Sequence, residues 1–452
     1  MPHRRPTRGL AALSIAGVRI TRRGQLFLLA SLIALVAAYS SGLDALLYVS
    51  ALLAALPVIA IVIVRLRRPR LAVTRVFAPH VIPAGSSAMV SLVVRNLAPG
   101  RSMRARWWDT LPWHPGETEE AELPSLAARG LRFARRGNTV AMGYDLTPPR
   151  RGIFPVGPLG VEVEDPFRLA TSSLVIGDQQ PIVVIPEVVH LSEVGLSMPA
   201  GDGESRLVQR RATGDDDDSM TREYRAGDAM RRVHWRASAR HGDLMVRQEE
   251  QRSFPEVRIV IDTRRAGYRD VSTDGNETES AAFEWVVRML ASAAVHLRRV
   301  GFLVTIDETG EPQLEHVGRG RRRTWGDEEF LTSLAALELT DTVAASRTGA
   351  GGEHGRGASG PIIAIVGTPE PETFDWLVRQ RRQGELAVAF MVRDATALDV
   401  FDRSFGIPAT TSVMAERLEH AGWLVVPVHS GDDHAVVWEA VVLETDRARG
   451  SA

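Results

Sequence analysis

Two residue types are missing from this chain of 452 residues: it has no cysteine and no lysine. Without cysteine there is no disulfide, no thiolate metal site and no cysteine nucleophile. Without lysine there is no G-x-x-x-x-G-K-[ST] phosphate loop. The patterns H-E-x-x-H and G-x-S-x-G do not occur either, which removes the paired-histidine zinc helix and the strained nucleophile elbow. An excess of charge is also lacking. The 54 basic residues, all arginine, face 55 acidic ones, for a formal net charge of −1. No global basic field would recruit nucleic acid. Sole use of arginine fits a GC-rich genome, so local arginine clusters carry less meaning than usual.

What is present is divided along the chain. Leu26 to Tyr39 is apolar apart from Ser31, and Leu46 to Val64 is a longer apolar run containing Pro57. A spanning helix needs ~20 mainly apolar residues. We expect two transmembrane helices, about 24–42 and 45–64, with Ser40-Ser41-Gly42-Leu43-Asp44 as the tight turn between them. Arg4, Arg5, Arg8, Arg19, Arg22 and Arg23 precede the pair, and Arg65, Arg67, Arg68 and Arg70 follow it. The turn carries no basic residue. The positive-inside rule then predicts a two-pass protein of the cell (inner/plasma) membrane, with the N-terminus and C-terminal domains cytoplasmic. A twin-arginine export signal at Arg22-Arg23 is the rival reading. The second arginine-capped run argues against it.

Residues 71–195 show short apolar stretches between Pro, Gly and Asn. Met89 to Val94, Thr139 to Leu146, Val161 to Glu164 and Pro181 to Ile185 read as strands. That rhythm predicts an antiparallel β-sandwich. Asp165 is expected to cap a turn at Asp165-Pro166-Phe167.

Residues 196–254 are rich in arginine. The acidic run Asp215 to Asp218 reads as solvated loop. Asp228 as N-cap and Gly242 as stop predict a helix over about 229–240. Arg231, Trp235 and Ser238 would then share one face. Asp228, His234 and Ser238 suggest a hydrolytic triad, but no strained turn or oxyanion hole accompanies the serine. Arginine beside tryptophan and tyrosine is the composition of an interface hot spot. The interaction surface expected here comprises Arg222, Glu223, Tyr224, Gly227, Asp228, Arg232, His234, Trp235, Ser238, Arg240 and Arg247. Read in order, Arg222-Glu223-Tyr224, Gly227-Asp228, Arg232-Val233-His234-Trp235, Ala237-Ser238-Ala239-Arg240 and Leu244-Met245-Val246-Arg247 resemble the signature of the family called domain of unknown function 58. The paired helices, Arg151-Gly152, Gly157-Pro158 and Asp165-Pro166 resemble it too. The resemblance implies a bacterial membrane protein whose partner is a MoxR-type AAA+ ATPase. It implies no reaction.

Residues 255–452 alternate strands and helices, which predicts a multi-domain chain ending in a mainly parallel, doubly wound α/β domain. Strands are expected at Val257 to Ile261, Phe302 to Ile306, Ile362 to Val366, Leu386 to Val392 and Leu424 to Val428. A first strand ending in Asp262 resembles the von Willebrand factor A fold. That resemblance implies magnesium held by Asp-x-Ser-x-Ser, but here the run is Asp262-Thr263-Arg264-Arg265-Ala266. Only the aspartate matches, so no intact metal site and no cofactor are expected, with Asp262 the one weak candidate ligand. Arg319 and Arg321 to Arg323 read as a solvated loop. The reading is therefore a membrane-anchored, non-catalytic adaptor. The alternatives are a hydrolase using His234 and Ser238, and a divalent-cation-regulated module at Asp262.

Overall fold

The computed structural model describes residues 14–15, 17–113, 115–129, 137–192, 221–224, 230, 233, 235–247, 256–274, 277–314, 326–342, 360–381, 385–393 and 410–450. The chain divides into two compact units, 1–185 and 186–452.

The first unit begins with two short strands, β1 (Ser14–Ile15) and β2 (Val18–Ile20). Two apolar helices follow, α1 (Arg22–Ser41) and α2 (Asp44–Leu66). Both are long and apolar enough to cross a membrane. At 1.5 Å per residue they measure roughly 30 Å or more, the thickness of a bilayer's hydrocarbon core. Gly42 turns the chain between them at φ 68°, a left-handed conformation that glycine adopts without strain. Outward-facing Leu29, Leu32, Val36, Leu52 and Val58 are exposed in the protein alone. Inside the hairpin, Ser31 and Ser50 are buried against each other.

Strands then dominate: β3 (Leu71–Ala78), β4 (Val81–Pro83), β5 (Ala88–Asn96), β6 (Ala105–Asp109), β7 (Ala121–Leu123), β8 (Thr139–Leu146), β9 (Gly152–Val156), β10 (Leu159–Glu164), β11 (Ala170–Ile176) and β12 (Gln180–Ile185). They form three sheets, ordered β1-β2-β11-β10-β6-β7, β3-β5-β8 and β4-β12-β9. Alternation explains the shared core. Val90, Leu92 and Val94 of β5, Val161 and Val163 of β10, and Ile182 and Val184 of β12 all point inward to one cluster with Phe77, Trp107 and Phe154. Among the described residues of this unit, the strand pairings are antiparallel except β4 with β12, which is parallel. That departs from the wholly antiparallel expectation. A second departure is β2. It precedes the helices in sequence, yet pairs with β11, which follows them.

The second unit starts with β13 (Thr221–Glu223), α3 (Trp235–His241) and β14 (Met245–Arg247). The helix is shorter than the expected 229–240. Val233 bridges Val246 instead, so its backbone is extended where helix was predicted. Gly242 does end the helix, at φ 80°, with its N–H on the Ser238 carbonyl at 2.9 Å.

The remaining elements are β15 (Glu256–Ile261), the hairpin β16 (Ser272–Asp274) and β17 (Glu277–Glu279), α4 (Ala281–Val300), β18 (Leu303–Glu308), α5 (Asp327–Ala335), β19 (Ile362–Val366), α6 (Pro371–Val378), β20 (Ala387–Arg393), α7 (Thr410–His420), β21 (Leu424–His429) and α8 (His434–Gly450). Five strands pair in the order β18-β15-β19-β20-β21, and every pairing is parallel. Helices cover both faces. Phe374 of α6 and Leu418 of α7 pack with Ala364 and Met391. Trp285 of α4 and Trp438 of α8 meet Phe390, which lies one residue out of phase with Met391. Successive strand residues face opposite ways, so these are the two sides of one sheet.

Candidate functional site

The strand order locates the first place to look. From β15 the chain crosses to β18 on one side, then returns to β19 on the other. In such sheets the crevice lies beyond the carboxyl ends of the strands flanking that reversal. Asp262, immediately after β15, is fully buried there. Its Oδ1 accepts from the Thr309 hydroxyl at 2.5 Å and from the Arg264 N–H at 3.2 Å. Tyr268 donates its hydroxyl to the Asp262 carbonyl at 2.5 Å. Gly267 lies against Oδ2 so closely that a Cβ there would collide with it.

The neighbouring loops are bonded to one another in the same way. The Thr263 hydroxyl accepts from Gly310 N–H at 3.0 Å, and the Thr263 carbonyl accepts from Thr340 N–H at 2.8 Å. The Arg264 guanidinium pairs with the Glu370 carboxylate and lies 3.3 Å from the Thr373 hydroxyl. Arg265 pairs with Asp341 at 3.3 Å. The Thr368 N–H donates to the Gly267 carbonyl at 2.7 Å.

This donor set does not fit a magnesium ion. A hard cation needs several oxygen ligands presenting lone pairs. Thr309 turns its proton toward Asp262, and a guanidinium stands two residues after the aspartate. Among the described residues, no group of three or more His, Asp and Glu side chains could hold a metal. Sequence reading found Asp262 and the charge of Arg264. It missed Gly267, five residues after Asp262 in the same loop, and Thr309, Glu370 and Thr373, whose roles arise from strand order. Position at a strand end was the only signal available.

The second place is the arginine-rich segment. Glu223 pairs with Met245 and Arg222 with Val246 in the β13–β14 ribbon. Tyr224 N–H extends the ribbon by donating to the Leu244 carbonyl at 2.7 Å. The Ser238 hydroxyl accepts from Met245 N–H at 2.8 Å, which ties α3 to β14. Val233 and Val246 are buried beneath. Trp235 is 66% exposed and Met230 55% exposed, and Glu223 and Arg240 also face solvent. The structure thus gathers Glu223, Tyr224, Trp235, Ser238 and Arg240 on one ribbon-and-helix element, with the backbones of Arg222 and Arg247 in its strands. Gly227, Asp228, Arg232 and His234 lie outside the described residues, as do Asp215 to Asp218 and the 319–323 arginines. The proposed pairing of His234 with Ser238 lies outside them as well. What the structure adds is that the Ser238 hydroxyl has a structural bond.

Residues 220–314 match the family model described as "Protein of unknown function DUF58". The match supports placing the chain in that family, and it covers both Ser238 and Asp262. No curated protein matches the chain. Among solved structures, the CARDB domain of a Pyrococcus furiosus protein in complex with di-metal ions is similar at 15% identity, over 24% of this chain and 94% of that one, with a TM-score of 0.17. Pseudomonas fluorescens alkylpurine DNA glycosylase AlkC is similar at 14% identity over 24% of this chain and 31% of that one, with a TM-score of 0.15. Bifidobacterium adolescentis GH3 beta-glucosidase is similar at 11% identity over 28% of this chain and 19% of that one, with a TM-score of 0.15. Scores this low carry no argument about fold or function.

Proposed function

We propose that this chain is a membrane-anchored, non-catalytic adaptor that presents the arginine-rich ribbon and helix to a cytoplasmic protein partner. One observation carries the reading. Trp235 stands two-thirds exposed on a helix that Ser238 holds in place. Tryptophan beside arginine is the usual composition at the centre of an interface. The partner we infer, on the family resemblance, is a MoxR-type AAA+ ATPase.

The same reading takes the helical hairpin as a two-pass anchor with both ends in the cytoplasm, supported by arginine at its base and none at its turn. It takes the sheets of the first unit as a β-sandwich and the parallel sheet of the second as a von Willebrand A-like domain in which Arg264 stands at the sequence position where a metal-binding member carries serine. On that view the packed loops around Asp262 are scaffold. Affinity capture of the full-length protein from native membranes, with nucleotide present and absent, tests the proposal. The ATPase should be retained by the wild type and lost from Trp235→Ala. Equal retention by both would remove Trp235 from the interface, and retention by neither would remove the ATPase.

A further inference from the structure

The turn between β10 and β11 touches the helical hairpin, and its chemistry suits a lipid surface. Asp165 is buried and folds the turn: its carboxylate accepts from Phe167 N–H at 2.8 Å, and from Leu169 and Ala170 N–H at 2.6 Å each. Thr21, the N-cap of α1, donates its hydroxyl to the Arg168 carbonyl at 2.6 Å, and its N–H to the Leu169 carbonyl at 2.9 Å. A side chain at Gly24, in the first turn of α1, would collide with that same Leu169 carbonyl. Leu169 and Ala170 are buried with Ala60 and Val64 of α2, and Phe27, Leu56 and Ile61 pack against the group.

Those contacts set a depth. Ala60 stands six residues before the end of α2, or about 9 Å along it, and Phe27 lies inside the apolar run of α1. Leu169 therefore sits level with the start of the apolar stretch. Next to it, Phe167 is 58% exposed. Arg168 has its side chain 69% exposed and, among the described residues, is the sole non-glycine at positive φ. Arg22, Arg23, Arg65 and Arg67 are exposed at the hairpin base beside it. A single exposed phenylalanine is ordinary on a soluble surface. One fixed at the entry of two apolar helices, next in sequence to Arg168, whose guanidinium lies 3.6 Å from Glu164, and in a chain whose helix ends carry exposed arginines, has the composition of an interfacial anchor.

We propose that this turn, 165–169, is a second membrane contact: Phe167 enters the boundary between headgroups and acyl chains, and Arg168 with the hairpin-base arginines binds anionic phospholipid headgroups. The inference rests on the reading that the hairpin spans a bilayer. The chain has no native cysteine, so single nitroxide labels can be placed at will on the full-length protein. Phe167→Cys, Leu32→Cys in mid-hairpin and Val175→Cys on β11 are labelled and reconstituted into phosphatidylcholine vesicles, with and without phosphatidylglycerol. Collisions with oxygen and with a water-soluble nickel chelate report depth. At 167 the expected result is a loss of nickel collisions relative to 175, deepened by phosphatidylglycerol. Adding Arg168→Asn, which keeps the left-handed backbone comfortable, should reduce the phosphatidylglycerol effect, the hairpin-base arginines retaining the rest. Protection at 32 with full nickel access at 167 overturns the second contact and leaves the anchor standing. Full access at 32 overturns both. Protection at 167 that ignores phosphatidylglycerol overturns the headgroup assignment.

Discussion

Ser31 and Ser50 each donate a hydroxyl to the other's backbone carbonyl, at 2.8 and 2.9 Å, across the interior of the helical hairpin. Both side chains are small, so the helices approach closely, and each carbonyl gains a partner beyond its own helix. In lipid such bonds average ~0.6 kcal/mol, with a ceiling near 1.7. Ser31→Ala and Ser50→Ala should each weaken the hairpin by about that amount. The double variant should cost less than the sum, because the bonds are reciprocal. Thermal unfolding of the full-length protein in mild detergent measures it. Strict additivity would separate the two serines energetically.

In the sheets of the first unit, a buried trio should matter more. Arg75 makes a two-pronged pair with Asp109, at 2.9 and 2.7 Å, and Tyr144 donates its hydroxyl to the same carboxylate at 2.8 Å. Arg75 and Asp109 are buried. Removing one partner of a buried pair leaves the other charge unpaired, at a cost of about 3–5 kcal/mol. Asp109→Ala is expected in that range, and Tyr144→Phe near ~1 kcal/mol. Burial first, and then the Asp109 charge, push the Tyr144 hydroxyl well above its usual pKa. It should therefore stay protonated in alkaline spectrophotometric titration until the unit unfolds. Early ionisation would place Tyr144 in solvent.

How much of this was legible beforehand depends on whether a feature is local. The helical hairpin was legible because apolar run length is a one-dimensional fact. The strands ending at Asn96, Leu146 and Ile185 were legible because Gly, Pro and Asn break the alternation nearby. The β2–β11 pairing was not, since Val18 and Ser172 meet only after two helices have been laid down. Thr309 was invisible for the same reason. Nothing near it in sequence hints that β18 ends beside Asp262. The helix start was misjudged at 229 because Asp228 is a good N-cap in isolation. The bridge from Val233 to Val246 is a tertiary contact that local preference does not see.

His434 gives a pH dependence with a definite sign. It is buried, stacks on Trp285 at 4.6 Å between ring centroids, and its Nε2 lies 3.1 Å from the Trp285 carbonyl. Burial is the main cause that lowers its pKa below the usual 6.5; Arg288 adds to this, while the Trp285 carbonyl, Asp433 and Glu187 oppose it. An unfolded histidine takes a proton near pH 6.5, where the folded one still resists. The unfolded state therefore binds more protons below that pH, and stability falls as pH drops through and below 6.5. Above 6.5 the contribution is complete. Chemical denaturation of the full-length protein between pH 5 and 8 should show this slope, and His434→Gln should flatten it. An unchanged slope in the variant would assign the effect to other groups.

Ser238 separates the adaptor reading from the enzymatic one. As a structural residue, its hydroxyl fixes α3 to β14 through Met245 N–H. Ser238→Ala should leave that N–H without its acceptor, costing about 1 kcal/mol locally, and should weaken partner capture without lowering the main unfolding transition. Ser238→Thr keeps the oxygen and should restore capture. As a nucleophile, Ser238 would need a base to activate it and donors to stabilise an oxyanion. A fluorophosphonate probe, which labels activated serines, should then attach to the full-length protein and fail on Ser238→Ala. We expect no labelling of Ser238 at all, because it lies within the helix Trp235–His241 and not on the strained turn that exposes a reactive serine. Stoichiometric labelling, lost in the alanine variant, would make the protein an enzyme.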